Sequence, residues 1–332
     1  MRRREPHTTL EHVARQAGVH PSTVSRYFSH PDLLADRTAA KIRSAADMLG
    51  YVPDMLAGSL ASNRRRLAAL LVPSLMYANF NVAIERIASG LSDAGTNVML
   101  GVIGNAPERT DDLVKAALRW RCDAVIAWTP LSGASARLLR SSGSSVIEIC
   151  DASVAPIDIG VGISEARAGS AIAEYLSARG FRRPAFIGTR GPFSILRAEA
   201  FSKRWDELRG ARPAQLLLDP PVNFEQGALV FAATCGGPVR PDVIVCASDY
   251  LAQGVIVEAQ SAGLRVPDDL AVIGYGNTPM SAAMRPAITT VDLNTARVPE
   301  EILAVLDARA EGRSVPGGHI DVGFSLIPRA SG

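Results

Sequence analysis

A chain of 332 residues, 47% hydrophobic and 20% charged, has the composition of a globular protein with two or three cored domains, which excludes a disordered polyelectrolyte. No apolar run reaches the roughly 18 residues of a membrane span, and no apolar segment follows the Arg-rich start, so the expectation is a cytoplasmic protein with no membrane partner. The net charge of +2 is uneven: residues 1–66 hold 11 Arg/Lys against 6 Asp/Glu, leaving 24 against 27 for the rest, so a basic N-terminal module is expected to meet a polyanion.

In chain order, Leu10, Val13, Ala14 and Ala17 recur at helical spacing and predict a short amphipathic helix, broken by Gly18. A second helix starts at Pro21, a favoured first position. It sets Val24 and Phe28 on one side and Ser22, Ser25, Arg26 and Ser29 on the other. Two helices joined by a glycine turn, the second presenting small polar groups and an arginine, is the pattern of a helix-turn-helix that enters the major groove. An ordinary helical pair with a solvated face is the alternative. After a loop at Pro31 and Asp32, Asp36 is expected to cap a third helix striped by Ile42, Ala45, Ala46 and Leu49 and ended by Gly50.

Tyr51-Val52-Pro53 reads as extended, closing a helix-turn-helix head over residues 1–53. Asp54 is placed to cap MLAGSLAS, which carries Leu56, Ala57, Leu60 and Ala61 on one side; so short a segment, with Gly58 inside it, needs a symmetry mate or DNA to become a helix. With the basic run Asn63–Arg66 it makes a hinge and linker over 54–66.

From Leu67 the texture becomes an αβ alternation. Short β-branched runs at Leu67–Val72, Val98–Ile103, Ala124–Trp128, Val146–Cys150 and Ile157–Val161 predict buried parallel strands. Helices are expected near Phe80–Ala94, Glu108–Arg119, Ser135–Ser141 and Ser164–Ala178. A second set follows: strands Pro184–Gly188, Gln215–Leu218, Val243–Ala247 and Leu270–Gly274, with helices Leu196–Leu208, Phe224–Ala233 and Leu251–Ala262. The fold class is therefore an all-α head followed by two α/β lobes with parallel sheets and helices on both faces; ligands in such folds sit at the C-terminal strand ends. The segment Ile288–Pro328, with a helix at Pro299–Ala310 and an edge strand, is expected to cross back between lobes.

Cys122, Cys150, Cys235 and Cys246 are widely spaced, as buried free thiols would be. His7, His12, His20 and His30 lack zinc-site spacing, so no metal is expected. GxSxG, HExxH and Walker loops are absent, so neither an enzyme nor a cofactor is expected.

The segments TLEHVARQAGVHPSTVSRYFSH (9–30), LGYVPDMLAGSLAS (49–62), ALLVPSL (69–75), the 108–126 block, CASDYLAQG (246–254), GLRVPDDLAVIGYGN (263–277) and PAITTVDL (286–293) resemble, in that order, the lactose-repressor (LacI/GalR) family. VIEICD (146–151) and PIDIGVGIS (156–164) are similar to its gluconate-repressor branch. The resemblance implies a periplasmic-binding-protein-like effector domain over 67–330. Lobe one would span about 67–162 plus 291–318, and lobe two 163–290 plus 319–330. It implies a homodimeric, ligand-responsive repressor of carbohydrate metabolism on a pseudo-palindromic double-stranded operator.

In that frame Pro21, Ser22 and Arg26 match base-contacting positions, and Thr9, His20, Thr23 and Ser25 are expected on phosphates. Leu60 matches a minor-groove wedge and Ala57 lets two hinge helices pack closely; dimer core is the alternative for Leu60. His12, Ser29 and Asp54 depart from the family's usual residues, so the operator does not carry over.

Arg197 matches the effector-binding arginine, whose fork suits a sugar acid. Asp249, Glu148, Asp151 and Asn277 at strand ends, with Tyr77 and Phe80 at a helix entrance, complete the expected effector set. Each has a structural alternative: helix cap for Asp249, buried pair for Glu148, core for Phe80. The effector is expected to be a small sugar or sugar acid, gluconate-like. The rival readings are a binding module with a non-functional head and an enzyme in the cleft.

Overall fold

A computed structural model describes residues 8–29, 33–52, 67–75, 78–104, 106, 108–129, 131–219, 222–237 and 239–332. They fall into two compact units, divided between residues 66 and 67.

The first unit holds α1 (Leu10–Ala17), α2 (Pro21–Ser29) and α3 (Asp36–Leu49). Val13, Ala14 and Ala17 of α1, Val24 of α2 and Ile42, Ala45 and Ala46 of α3 make its core. Gly18 and Gly50 end α1 and α3 in the left-handed region (φ 67° and 58°), which a side chain would strain. Asp36 is not the cap of α3. Ala35 holds that position with extended backbone, and Asp36 is the first helical residue, where its charge still suits the positive end of the helix. Phe28 stays at the rim, 37% exposed, with its ring 5.0 Å from Tyr27 and 5.7 Å from Tyr51. The expected hinge, with Asp54, Ala57 and Leu60, lies outside the described residues, as do His7, His30, Pro31 and Asp32.

The second unit begins with β1 (Leu67–Val72), α4 (Ala78–Asp93), β2 (Asn97–Val102), α5 (Arg109–Arg119), β3 (Ala124–Ala127), α6 (Gly133–Arg140), β4 (Ser145–Ile149) and β5 (Ile159–Gly162). It continues with α7 (Glu165–Ala178), β6 (Pro184–Thr189), α8 (Pro192–Arg209), β7 (Ala214–Leu218), α9 (Gln226–Cys235), β8 (Val243–Cys246), α10 (Asp249–Ser261) and β9 (Ala271–Ile273). Last come α11 (Pro279–Ala283), β10 (Thr290–Asp292), α12 (Arg297–Ala310), β11 (Gly318–Asp321) and β12 (Ser325–Ile327).

Two parallel sheets result, ordered β11-β5-β4-β3-β1-β2 and β7-β6-β8-β9. Period-2 alternation divides each into two buried faces, the signature of helices on both sides. In the first sheet Leu70, Ile126 and Ile147 pack toward α4 and α12, while Leu71, Val125 and Val146 pack toward α5 and α6. In the second, Phe186 and Val245 face α7 and α8, while Ile187 and Ile244 face α9 and α10. α7 and α8 approach closely at Gly169, where a Cβ would lie 2.3 Å from the Arg197 carbonyl oxygen.

The chain passes between lobes three times: after β5, after β10 and between β11 and β12. The strand Gly318–Asp321 pairs with Ile159–Gly162, so residues 319–321 belong to the first sheet and only the stretch after them returns, β12 pairing antiparallel with β10. This corrects the expected assignment of 319–330 to lobe two. Ladder hydrogen bonds along β5, from Val322 N–H to Gly162 O as well, hold the strand there. The crossings are tied together: Asn294 Nδ2 and Arg297 Nη1 donate to Val322 O at 3.0 and 3.2 Å.

Arg309 of α12 grips Asp158 bidentately, Nη1 and Nη2 donating to Oδ2 and Oδ1 at 2.6 and 2.7 Å. These bonds, helped by the Val146 N–H, outweigh partial burial and hold the Asp158 carboxyl below its ordinary range. A depressed folded pKa gives stability that is full above the unfolded value of about 3.9 and is lost as pH falls through the folded one. Arg309→Ala is expected to cost about 1–3 kcal/mol at pH 7. In pH-dependent denaturant melts its deficit should close in acid below that value; a deficit independent of pH would contradict the pairing.

Cys122, Cys150 and Cys246 are buried free thiols, whereas Cys235 is half-buried. Burial pushes Cys122 up to about 11 and Cys150 up to about 12, which keeps both protonated. No helix of the described residues is long and apolar enough to cross a membrane.

Candidate functional site

On the head, α2 buries Val24 and leaves Ser22, Ser25 and Arg26 exposed, so its outward surface is small, polar and cationic. His20 precedes the helix, and its ring Nδ1 accepts from the Ser22 N–H at 3.3 Å and lies 2.8 Å from Ser22 Oγ. In the tautomer with Nδ1 unprotonated the hydroxyl donates to it as well, and Ser22 then presents lone pairs outward. His12 plays the matching part in α1, its Nδ1 accepting from the Thr9 N–H at 3.3 Å. Both histidines thus satisfy helix-start donors, the task that carboxylates and serines usually perform. Thr9 is exposed, whereas Pro21 and Thr23 are half-buried beside the outward face.

In the second unit a cavity of about 340 Å³ opens where the C-terminal strand ends of both sheets face each other. Its walls are mainly apolar, with Trp128 and Ile149 from the first lobe, and Phe193, Val222 and Tyr275 from the second. That volume and character suit a small molecule held by a few polar groups.

Arg197, one turn into α8, enters this cavity although only 4% exposed. Its Nη1 donates to Glu165 Oε2 at 2.5 Å, and its guanidinium lies 3.6 Å from the centroid of the Tyr275 ring. The Tyr275 hydroxyl donates to the same Glu165 oxygen at 2.7 Å. Burial alone would lower the Arg197 pKa, but Glu165 and Tyr275 more than offset it, and the guanidinium stays charged. Burial pushes the Tyr275 phenol well up against the opposing pull of Arg197, so it stays a donor. Asp151, just beyond β4, accepts from the Glu165 N–H at 2.6 Å and from the Ser153 N–H at 2.8 Å, with the Ser153 hydroxyl as a third donor. A first-lobe carboxylate therefore sits on the N-terminus of α7, where the helix dipole favours it.

Of the expected effector residues, Asp151 and Arg197 line this cavity. Glu148 does not. It is buried one residue inside the end of β4 and accepts from the Ile157 N–H at 2.5 Å, tying down the following loop; burial raises its pKa against that bond and against Arg140. Asp249 is fully buried, its two oxygens accepting from Thr278 N–H and the Thr290 hydroxyl at 2.6 Å each. Asn277, left-handed at φ 48°, donates to Asp292 and accepts from Arg329, bracing the returning chain. Tyr77 lies outside the described residues, and of Phe80 only the backbone is described. The sequence pattern marks neither Glu165 nor Tyr275 as a cleft residue. Glu165 reads in sequence as an ordinary first-turn acid after the cap Ser164, and only its burial against Arg197 marks it.

Two family models match: bacterial regulatory proteins of the lacI family over residues 9–54, and a periplasmic binding protein-like domain over 173–332. The transcriptional regulator GntR of Pseudomonas aeruginosa is 32% identical over 97% of this chain and 95% of its own length. The crystal structure of a LacI-family transcriptional regulator from Silicibacter pomeroyi superposes with a TM-score of 0.90 at 27% identity, covering 98% of this chain and 99% of that one. The lac repressor dimer bound to operator and the anti-inducer ONPF gives 0.85 at 21% identity, over 98% and 99% of the two chains, and shares the fold. A basic helix-turn-helix head, two α/β lobes facing across a cleft and 32% identity to a curated regulator over nearly the whole length of both chains lead to one conclusion: the chain belongs to the lacI family of bacterial regulatory proteins.

Proposed function

We propose that this protein is a cytoplasmic, homodimeric repressor whose grip on a pseudo-palindromic operator is set by a small sugar or sugar acid in the cleft, gluconate-like by its branch resemblance. The observation that carries the reading is the outward face of α2, where Ser22, Ser25 and Arg26 are exposed over a core closed by Val24. Arg26 and Ser22, with Pro21, are assigned to base edges, and Thr9, His20, Thr23 and Ser25 to phosphates. Residues 1–53, 54–66 and 67–330 are read as head, hinge and effector domain. In the hinge, Leu60 wedges a minor-groove step and Ala57 packs on its mate. A change in lobe closure alters the separation of the paired heads. Only a ligand with different affinity for the two closures can shift the equilibrium, and a coupling of about 1–3 kcal/mol changes operator affinity about 5–150-fold.

The direct test starts from a duplex selected out of a random library by the full chain. Arg26→Ala is expected to weaken binding to it by about 1–3 kcal/mol and to relax one base position. Failure of the full chain to select any duplex would favour a binding module with a non-functional head, and unchanged affinity in the variant would overturn the role given to Arg26. The wild-type complex should also weaken steeply with salt, its log–log slope about −0.9 per phosphate contact; a salt-insensitive complex would count against the reading.

A further inference from the structure

We infer that the cleft selects an uncharged polyhydroxy effector over its carboxylate counterpart, and that Glu165 is the residue imposing this choice. The inference rests on the reading of the cleft as effector site and decides between its two ligand classes. A lone buried guanidinium would favour an acid, but the charge of Arg197 is already matched by Glu165 at 2.5 Å, and one of its faces is covered by Tyr275. Asp151 adds a second carboxylate to the wall. Among the described residues lining the cavity these are the charged side chains, two anions against one cation. The other ionisable groups there, Cys150 and Tyr275, are kept neutral by burial. Behind the wall Asp249 is held by an N–H and a hydroxyl and adds no cation to the site.

A ligand carboxylate would therefore be a third anion in a low-dielectric cavity whose one guanidinium is already taken by Glu165, and like charges there repel strongly. Sugar hydroxyls do not face that penalty: they donate to Glu165 and Asp151 and accept from Arg197. The hydroxyls of Thr189 and Ser194 on the same wall extend the polar lining.

The test is calorimetric titration of the full chain at neutral pH with pairs that share a carbon skeleton and differ in charge. Suitable probes are gluconate and gluconamide, galactonate and galactonamide, and glucuronate and glucuronamide, with the parent aldoses alongside. For any skeleton that binds, the uncharged member should bind wild type at least tenfold more tightly. Glu165→Gln removes one negative charge at nearly constant shape and should move that ratio at least tenfold toward the acid. An acid that binds wild type as tightly as its amide overturns the inference, and so does a ratio unmoved in Glu165→Gln. If a thermal melt finds the variant unfolded, the wild-type ratio decides alone. Silence of the whole panel toward wild type would overturn the effector-site reading itself, an outcome distinct from a preference for acids.

Discussion

Arg197→Ala is expected to lower the stability of the two-lobed unit by about 3–5 kcal/mol at neutral pH, because it strands a buried carboxylate. Glu165 would keep the Tyr275 hydroxyl and lose its cation, while Tyr275 would lose the guanidinium over its ring. For a unit of this size such a loss lowers Tm by roughly 6–20 °C. The partner substitution separates charge from packing. Glu165→Ala in the Arg197→Ala background removes the stranded anion, so the double variant should be more stable than the sum of the single effects predicts. Thermal melts of the four proteins measure this, and additive losses would show that the pair is not coupled. The same proteins in a thermal-shift screen of sugars, sugar acids and sugar phosphates should show ligand stabilisation in wild type and none in Arg197→Ala.

A loss of similar size, about 3–5 kcal/mol, is expected for Trp205→Ala. Trp205 lies two turns beyond Arg197 on α8, is 1% exposed and stacks on Phe201 with the rings 17° apart. Removing it empties a large volume between α8 and its neighbours, and the Arg209 guanidinium loses the ring near it. Trp120, 50% exposed after α5, is the internal control: its truncation should cost no more than about 0.5 kcal/mol. Denaturant midpoints of both variants check the contrast, and equal losses would contradict the burial assigned to Trp205.

Local pattern made most of the architecture legible. Alternating faces such as Leu70 against Leu71 are visible in LAALLV once the run is read as a strand buried on both sides. Helix starts were less visible. The apolar pattern opens α8 at Leu196, but the helix begins at Pro192 behind Gly191, a proline-first start masked by the loop-like GPFS. α9 has regular α-helical bonding from Gln226, while Asn223 and Gln226 exchange backbone N–H bonds as a capping box, so the turn begins near Phe224 as the pattern predicts.

The cleft was harder to read for a different reason. Being at a strand end is a one-dimensional property, whereas facing the cavity depends on where a neighbouring backbone supplies donors. Asp249 and Glu148 meet N–H groups and turn inward; Asp151 meets the start of α7 at the cavity wall. Glu165 and Arg197 are 32 positions apart and face each other only because Gly169 lets two helices touch.

Three chain passages, at 162–165, 292–297 and 321–325, join the lobes and are bonded to one another through Val322, Asn294 and Arg297. Three covalent passages side by side resist sliding and pulling apart, since either would strain all three together and the bonds that Val322 makes with Gly162, Asn294 and Arg297. Rotation of one lobe against the other about the seam is the motion that such a hinge opposes least. A molecule seated between the lobes would bear on that one angle.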